Sequence, residues 1–329
     1  WDSRVCAVCP DDAAAERFAR DLEAMIGETV PVLTAREFTF TPMDAVSRQE
    51  EQRRLGILFA LSGEMPPKAV VCTAAGLLQR TIPVERLREA AFVLKSGGSC
   101  PIEEAEQRLL LCGFKRADQV EGPGQFARRG GILDFFTPGY DAPIRCEFWG
   151  DDIDSMGLFD VDTQRRTENL DRCVILPAAE TLPSLYPGGA KALADKLAEM
   201  GDTFRKRRTR EAAQQTAQML YEDADKLRGG AMLSDADRYM GVICGEFASA
   251  LDHLPEDTLL VLSQPGKIAE RAKAYLKQVG DDVKLLARSG KLAAGAGDFT
   301  LPWEQCVMQL RERPAVLCDA FTVGRYPME

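Results

Sequence analysis

The chain has 329 residues, 45% of them hydrophobic and 28% charged, which is globular composition for about two domains with ample buried core. A formal net charge of −10 argues against a surface built to neutralise a nucleic-acid backbone. No apolar run approaches the ~18 residues of a membrane span and no signal-peptide pattern opens the chain, so the expected setting is cytoplasmic, with no membrane partner. The chain opens at Trp1, not Met, one step before a predicted strand. It stops at Glu329 without a sign of closing a domain, so it reads as a segment trimmed from a longer polypeptide.

Taken in order, Arg4 to Cys9 predicts a strand, followed by a helix with Ala15, Phe18, Ala19, Leu22 and Met25 on one stripe. Asp11 or Asp12 is its expected N-cap and Gly27 its stop. Ser47-x-x-Glu50 has the capping-box pattern for a second helix through Leu55, Leu58 and Phe59. Ala69 to Thr73 predicts another strand, a short helix carries Leu77 and Leu78, and a strand near Phe92 to Leu94 leads out. Strands alternating with helices indicate a parallel α/β sheet. Pro101 then opens a helix with Leu109, Leu110 and Cys112 as its apolar stripe, ended by Gly113.

A three-strand meander is expected next, in the runs Gly124–Phe136, Pro143–Ser155 and Phe159–Arg165. The middle run alternates: Ile144, Cys146 and Phe148 on one face, Arg145, Glu147 and Trp149 on the other. The expected inner face carries Ile144, Cys146, Phe148 and Ile132, covered by the preceding helix. The outward face holds Arg and Trp, residue types that dominate protein–protein hot spots.

Beyond Glu180, Pro183 to Gly189 reads as a linker and Lys191 to about Gly229 as long helices. These include Phe204-Arg-Lys-Arg-Arg-Thr-Arg210, a basic run that can mark a nucleic-acid contact. Interleaved Glu199, Asp202, Glu211, Glu222 and Asp223 favour a solvated helix face instead. The α/β rhythm resumes with a strand at Leu259 to Leu262, a helix over Pro265 to Val279, and strands at Val283 to Leu286 and Ala315 to Leu317. The first and last segments are therefore expected to form one body into which the meander domain is inserted.

Chemistry-bearing motifs are sparse. Ten cysteines are scattered, mostly within apolar runs. Cys6 and Cys9 form a C-x-x-C, but residues three apart on a strand face opposite sides, and His253 is the chain's one histidine. Buried free thiols are the expected state, with no metal site. A nucleotide-hydrolysing helicase fold needs G-x-x-x-x-G-K-[ST] to cradle phosphates and Mg²⁺. The fragments Ser289-Gly-Lys-Leu292 and Pro265-Gly-Lys-Ile268 lack its upstream Gly and its Ser/Thr, and read as turns and helix starts. Glu103-Glu104, Asp151-Asp152 and Asp281-Asp282 lie at turns or helix starts, where acids are common. No catalytic residue is assigned.

Four strings in order carry a family resemblance: Arg129-Gly-Gly-Ile-Leu-Asp-Phe135, Arg145-Cys-Glu-Phe-Trp-Gly-Asp-Asp-Ile-Asp-Ser155, Phe159-Asp-Val-Asp-Thr-Gln-Arg165 and Ile175-Leu-Pro-Ala-Ala-Glu180. From Gly124 to Glu180 the chain resembles the second domain of the Mfd family, the bacterial transcription-repair coupling factors, and more distantly that of UvrB. Weaker similarity runs from about Arg4 to the end.

The resemblance implies a degenerate helicase-like (RecA-like, UvrB domain 1) α/β body, residues 1–92 and 179–329, with an inserted α+β antiparallel-sheet domain at 93–178. It further implies a non-catalytic adaptor that recruits UvrA to stalled RNA polymerase for transcription-coupled nucleotide excision repair. In whole family members, ATP and Mg belong to motor domains further along, as do contacts with polymerase and DNA; this chain is expected to hold no cofactor. Glu37-Phe-Thr-Phe-Thr-Pro42 running into Ser47 is short and lacks the tyrosine cluster of UvrB's DNA-gripping hairpin. The alternatives are a UvrB-like ATP-dependent damage-recognition helicase and a DNA-binding module using Arg205 to Arg210.

Arg129, Arg145 and Trp149 match family positions implicated in UvrA contact, Trp149 standing where many members have Phe. Glu147 shares their face and either orders Arg145 or bonds the partner. Each has a simpler reading: Arg129 in an edge strand or bulge, Arg145 paired across strands with an acid such as Asp134, Trp149 half-buried in the core.

Overall fold

The computed structural model describes residues 4–40, 48–206, 211–293 and 296–319. The first segment contains β1 (Val5–Cys9), α1 (Asp12–Ile26), β2 (Val32–Leu33), α2 (Gln49–Leu61), β3 (Ala69–Thr73), α3 (Ala74–Leu78) and α4 (Val84–Ala90). The Asp11 carboxylate caps α1 by accepting from Ala14 N–H at 3.0 Å, and Gly27 closes it in the left-handed conformation at φ +72°. The buried stripe of α1 is carried by Ala15 and Ala19 with Phe18 and Leu22 alongside, whereas Met25 is exposed near the C-terminal end, outside the stripe. The expected cap Ser47 lies outside the described residues, and α2 starts after Arg48 with no side-chain cap bond.

The middle segment comprises β4 (Phe92–Lys95), α5 (Ile102–Leu111), β5 (Lys115–Arg116), β6 (Gln125–Arg129), β7 (Ile132–Phe135), β8 (Ile144–Trp149), β9 (Asp152–Phe159), β10 (Arg166–Asn169) and β11 (Arg172–Ile175). The last contains α6 (Gly189–Arg205), α7 (Glu211–Arg228), α8 (Met240–Cys244), β12 (Leu259–Ser263), α9 (Pro265–Arg288), α10 (Trp303–Arg311) and β13 (Ala315–Cys318). Of the basic run, Arg205 and Lys206 end α6, and residues 207–210 lie outside the described residues.

The first and last segments build one parallel sheet of order β13-β12-β1-β3-β2. The central strand β1 pairs Val5–Val8 with Leu259–Leu262 on one side and with Ala69–Cys72 on the other. Both faces of β1 and β3 are buried, as expected for the centre of a parallel sheet. Cys6, Val8, Val70, Cys72 and Leu260 pack toward α2 and α10; Ala7, Cys9, Ala69 and Val71 pack on α1. Cys6 and Cys9 therefore face opposite sides, as their spacing on a strand predicts. The expected strand at Val283 to Leu286 is not formed: α9 runs on to Arg288. Val279, Val283 and Leu286 recur at helical spacing and pack together on the α6–α7 core.

The inserted segment carries a six-stranded sheet of order β10-β9-β8-β7-β6-β5, broader than the three-strand meander. Gly150, at φ +63°, turns β8 directly into β9, so the run read as one strand is a hairpin. Phe159 ends β9, and 160–165 form a loop. The inner face carries Leu133, Phe135, Ile144, Cys146 and Met156 over Ile102, Ala105 and Leu109 of α5. Ile132 is a correction: it pairs with Glu147, across from Leu133 and Cys146, and belongs to the outer face. Leu110 is another, since Ile102, Ala105, Leu109 and Cys112 form the buried helix stripe and Leu110 is exposed.

Chain enters and leaves the insertion through antiparallel strands β4 and β11, which pair Phe92–Lys95 with Ile175–Arg172. Just beyond lies a buried ionic cluster. Glu180 Oε1 sits 3.1 Å from Arg36 Nε and 3.2 Å from Arg54 Nε, and its Oε2 accepts from Thr81 Oγ1 at 2.5 Å. Arg36 also forks onto Asp237 at 2.8 and 2.9 Å, and Glu51 Oε1 accepts from Glu180 N–H at 2.8 Å. Burial pulls the Arg36 pKa down, but Asp237, Glu51 and Glu180 outweigh it and hold the guanidinium above its ordinary value. Charges buried this deeply persist because every one is paired. The cluster joins the loop after β2, α2, the stretch after α3, the exit from the insertion and the 236–239 turn.

Candidate docking face of the antiparallel sheet

The outer face of the six-stranded sheet is built on the pleat of β7, β8 and β9. Cross-strand register places Asp134 opposite Arg145, Arg145 opposite Gly157, and Glu147 opposite both Ile132 and Ser155. Side chains of directly opposed residues share a face in an antiparallel ladder. Arg145, Glu147 and Trp149 thus project together, as the alternation predicts, but their environments differ sharply.

Trp149 ends β8 at the Gly150 turn and is 82% exposed. A half-buried core role is excluded. Arg129 ends β6 at the turn through Gly130, whose φ of +61° suits glycine, and its side chain is 49% exposed. Both sit at the same end of the sheet, where Phe148 N–H donates to Gly131 O at 2.8 Å.

Arg145 is largely covered, with 16% of its side chain exposed. Its Nε and Nη2 fork onto Asp134 at 2.7 and 2.9 Å. Nη1 donates to the Gln164 carbonyl at 3.2 Å and Nη2 to Gln164 Oε1 at 3.0 Å. The guanidinium lies 4.4 Å over the Phe159 ring, which packs with Val120 and Ala127. The hydrogen bond to Asp134, with that carboxylate's charge, raises the Arg145 pKa. The three family-matched residues do not form one uniformly exposed patch: Arg129 and Trp149 are open, and Arg145 is covered by the 160–165 loop.

Asp134, only 1% exposed, also accepts from Arg129 Nη2 at 2.8 Å. Gln164 adopts φ +58°, rare for a residue with a Cβ, and is held there by its own N–H on Asp160 O and its side-chain amide on Val161 O, both at 2.8 Å. Glu147 does not order Arg145. Its carboxylate accepts from Ser155 Oγ at 3.0 Å and Arg166 Nη2 at 3.1 Å.

Sequence reasoning had Asp134 as a possible partner of Arg145 but missed Gln164, Ser155, Arg166 and Phe159. Gln164 and Phe159 were in view within the Phe159–Arg165 string, but reading that string as a strand hid the loop that folds back over Arg145.

Residues 92–180 match the family model described as the UvrB interaction domain. The chain is 29% identical to the transcription-repair-coupling factor of Haemophilus influenzae over 257 residues, 77% of this chain and 21% of that protein. It is 25% identical to the Bacillus subtilis factor over 281 residues, covering 84% and 24%, and 32% identical to the Myxococcus xanthus factor over 206 residues, covering 59% and 17%. The chain therefore spans less than a quarter of the length of each of these relatives. With a UvrB interaction domain at 92–180 and homology over most of its length, the chain is related to the amino-terminal, UvrB-like region of transcription-repair-coupling factors.

Proposed function

We propose that this chain is a non-catalytic, UvrB-like adaptor that docks UvrA through the outer face of its antiparallel sheet. In the whole protein it would recruit UvrA to stalled RNA polymerase in the bacterial cytoplasm, while ATP-driven translocation and the polymerase and DNA contacts belong to other parts of the polypeptide. The observation that carries this reading is Trp149, 82% exposed at the same end of the sheet as Arg129, within the segment matched as a UvrB interaction domain. Exposing a tryptophan to water costs hydrophobic free energy in the isolated molecule, and Trp and Arg are residue types enriched among interface hot spots.

The parallel body supports an adaptor rather than a motor. In phosphate-binding α/β folds the loop after the central strand offers bare backbone N–H groups at a helix start. Here that loop is Pro10-Asp11, the Asp11 carboxylate takes the Ala14 N–H, and Asp12 opens α1. Two acids at this point repel a phosphate. An RecA-like ancestry with this site lost accounts for the parallel sheet around β1.

Nucleotide assays test the adaptor reading. The chain is expected to turn over no ATP with or without DNA, and saturating ATP is expected to leave its melting temperature unchanged. A ligand at a hundred times its dissociation constant would stabilise by about 2.7 kcal/mol, so a clear ATP-dependent rise would contradict the proposal.

A further inference from the structure

Two guanidinium groups, Arg129 and Arg145, share the same acceptors on the outer face. Arg129 Nη2 and Arg145 Nη2 both donate to Asp134 Oδ2, at 2.8 and 2.9 Å, and both reach Gln164 Oε1, at 3.4 and 3.0 Å. Like charges this close repel unless a counter-charge lies between them, and the buried Asp134 supplies it. The donor count then separates the pair. Arg145 has committed Nε, both Nη2 protons and one Nη1 proton, and lies beneath the loop over 160–165. Arg129 has committed Nη2 alone, and Nε and Nη1 make no hydrogen bond to the described residues on a half-exposed side chain.

We infer that the two arginines have different tasks: Arg129 meets an acidic acceptor on UvrA, and Arg145, Asp134 and Gln164 are positioning residues that hold its guanidinium in place. This rests on the UvrA reading above. Gln164 is the informative member. Its left-handed backbone is held by bonds inside its own loop, and its side-chain oxygen touches both arginines. A long cation fixed on one side by Asp134 and Gln164 loses less rotamer freedom when it binds, so the same contact gives more affinity.

The test is a double-mutant cycle of Gln164→Gly and Arg129→Ala, read by titration calorimetry against UvrA. Gln164→Gly removes the side chain, with its bond to Val161 O, while suiting the positive φ, and a melting curve run beside each titration checks that the fold is kept. Each single variant is expected to weaken binding about tenfold, and the double variant to be no weaker than Arg129→Ala alone. Losses that multiply, or a Gln164→Gly variant with wild-type affinity, overturn the inference. A second measurement needs no UvrA: phenylglyoxal adducts mapped by mass spectrometry should form at Arg129 and spare Arg145, with Gln164→Gly opening Arg145 to the reagent. Equal reactivity of both arginines in the wild-type chain overturns the division of tasks. Absence of wild-type UvrA binding with the expected adduct pattern overturns the choice of partner instead.

Discussion

Arg145 and Trp149 stand on one face of one strand, yet they meet opposite physical demands. Arg145→Ala would leave Asp134 buried with only the half-exposed Arg129 as partner, and would uncover Phe159. Removing one member of a buried ion pair costs about 3 kcal/mol or more, so urea denaturation should show a clearly lowered midpoint for this variant. Arg145→Lys should recover little of it, because an ammonium cannot make the paired contacts to Asp134 and Gln164 together. Trp149→Ala, by contrast, should shift stability by no more than about 0.5 kcal/mol. The common face of these residues was legible from period-two alternation. Their unequal exposure was not, because it depends on a loop whose glutamine takes a backbone conformation that nothing in Asp160-Val-Asp-Thr-Gln-Arg165 announces.

At the scale of elements, the sheet that presents this face depends on close approach between strands β9 and β10. A Cβ added at Gly157 would run into Glu168 O and the Arg166 side chain, which itself bonds Glu147 and Ser155. Gly157→Ala should therefore push β10 outward and cost about 1–3 kcal/mol, measurable in a thermal melt, with hydrogen exchange quickening in Arg166–Asn169 before the rest of the sheet. The strands of both sheets were readable where apolar residues alternate or run together, as at Val5–Cys9 and Ile144–Trp149. Two failures have separate causes. Short runs such as Val283–Leu286 are equally apolar in strand and helix, and only packing of Val279, Val283 and Leu286 on the α6–α7 core decides for helix. The Gly150 turn was overlooked because acids follow it without a break in composition.

For the whole molecule, the question is what keeps the inserted domain in a fixed attitude on the parallel body. Glu180 closes the insertion and ties Arg36, Arg54 and Thr81 of the body. Glu180→Ala would take the paired carboxylate from buried Arg54 and leave Arg36 to Asp237 and Glu51, and should cost about 3–5 kcal/mol in urea denaturation, far more than its position at a domain margin suggests. A second contact lies at Gly56 of α2, where an added Cβ would come within 2.9 Å of Gly139 N in the insertion. The string ending at Glu180 was visible in the sequence, but its role was not, since Arg36 and Asp237 are far from it along the chain. Among the described residues no helix is long and apolar enough to cross a membrane.

The central claim is that UvrA docks on the open end of the antiparallel sheet. Its most direct test is titration calorimetry of purified UvrA with the wild-type chain and with Trp149→Ala, each accompanied by a melting curve. The account predicts saturable binding by the wild-type chain and a loss of about 2 kcal/mol, roughly thirtyfold in affinity, in the variant at an unchanged melting temperature. Wild-type affinity in Trp149→Ala, with the fold intact, would contradict it.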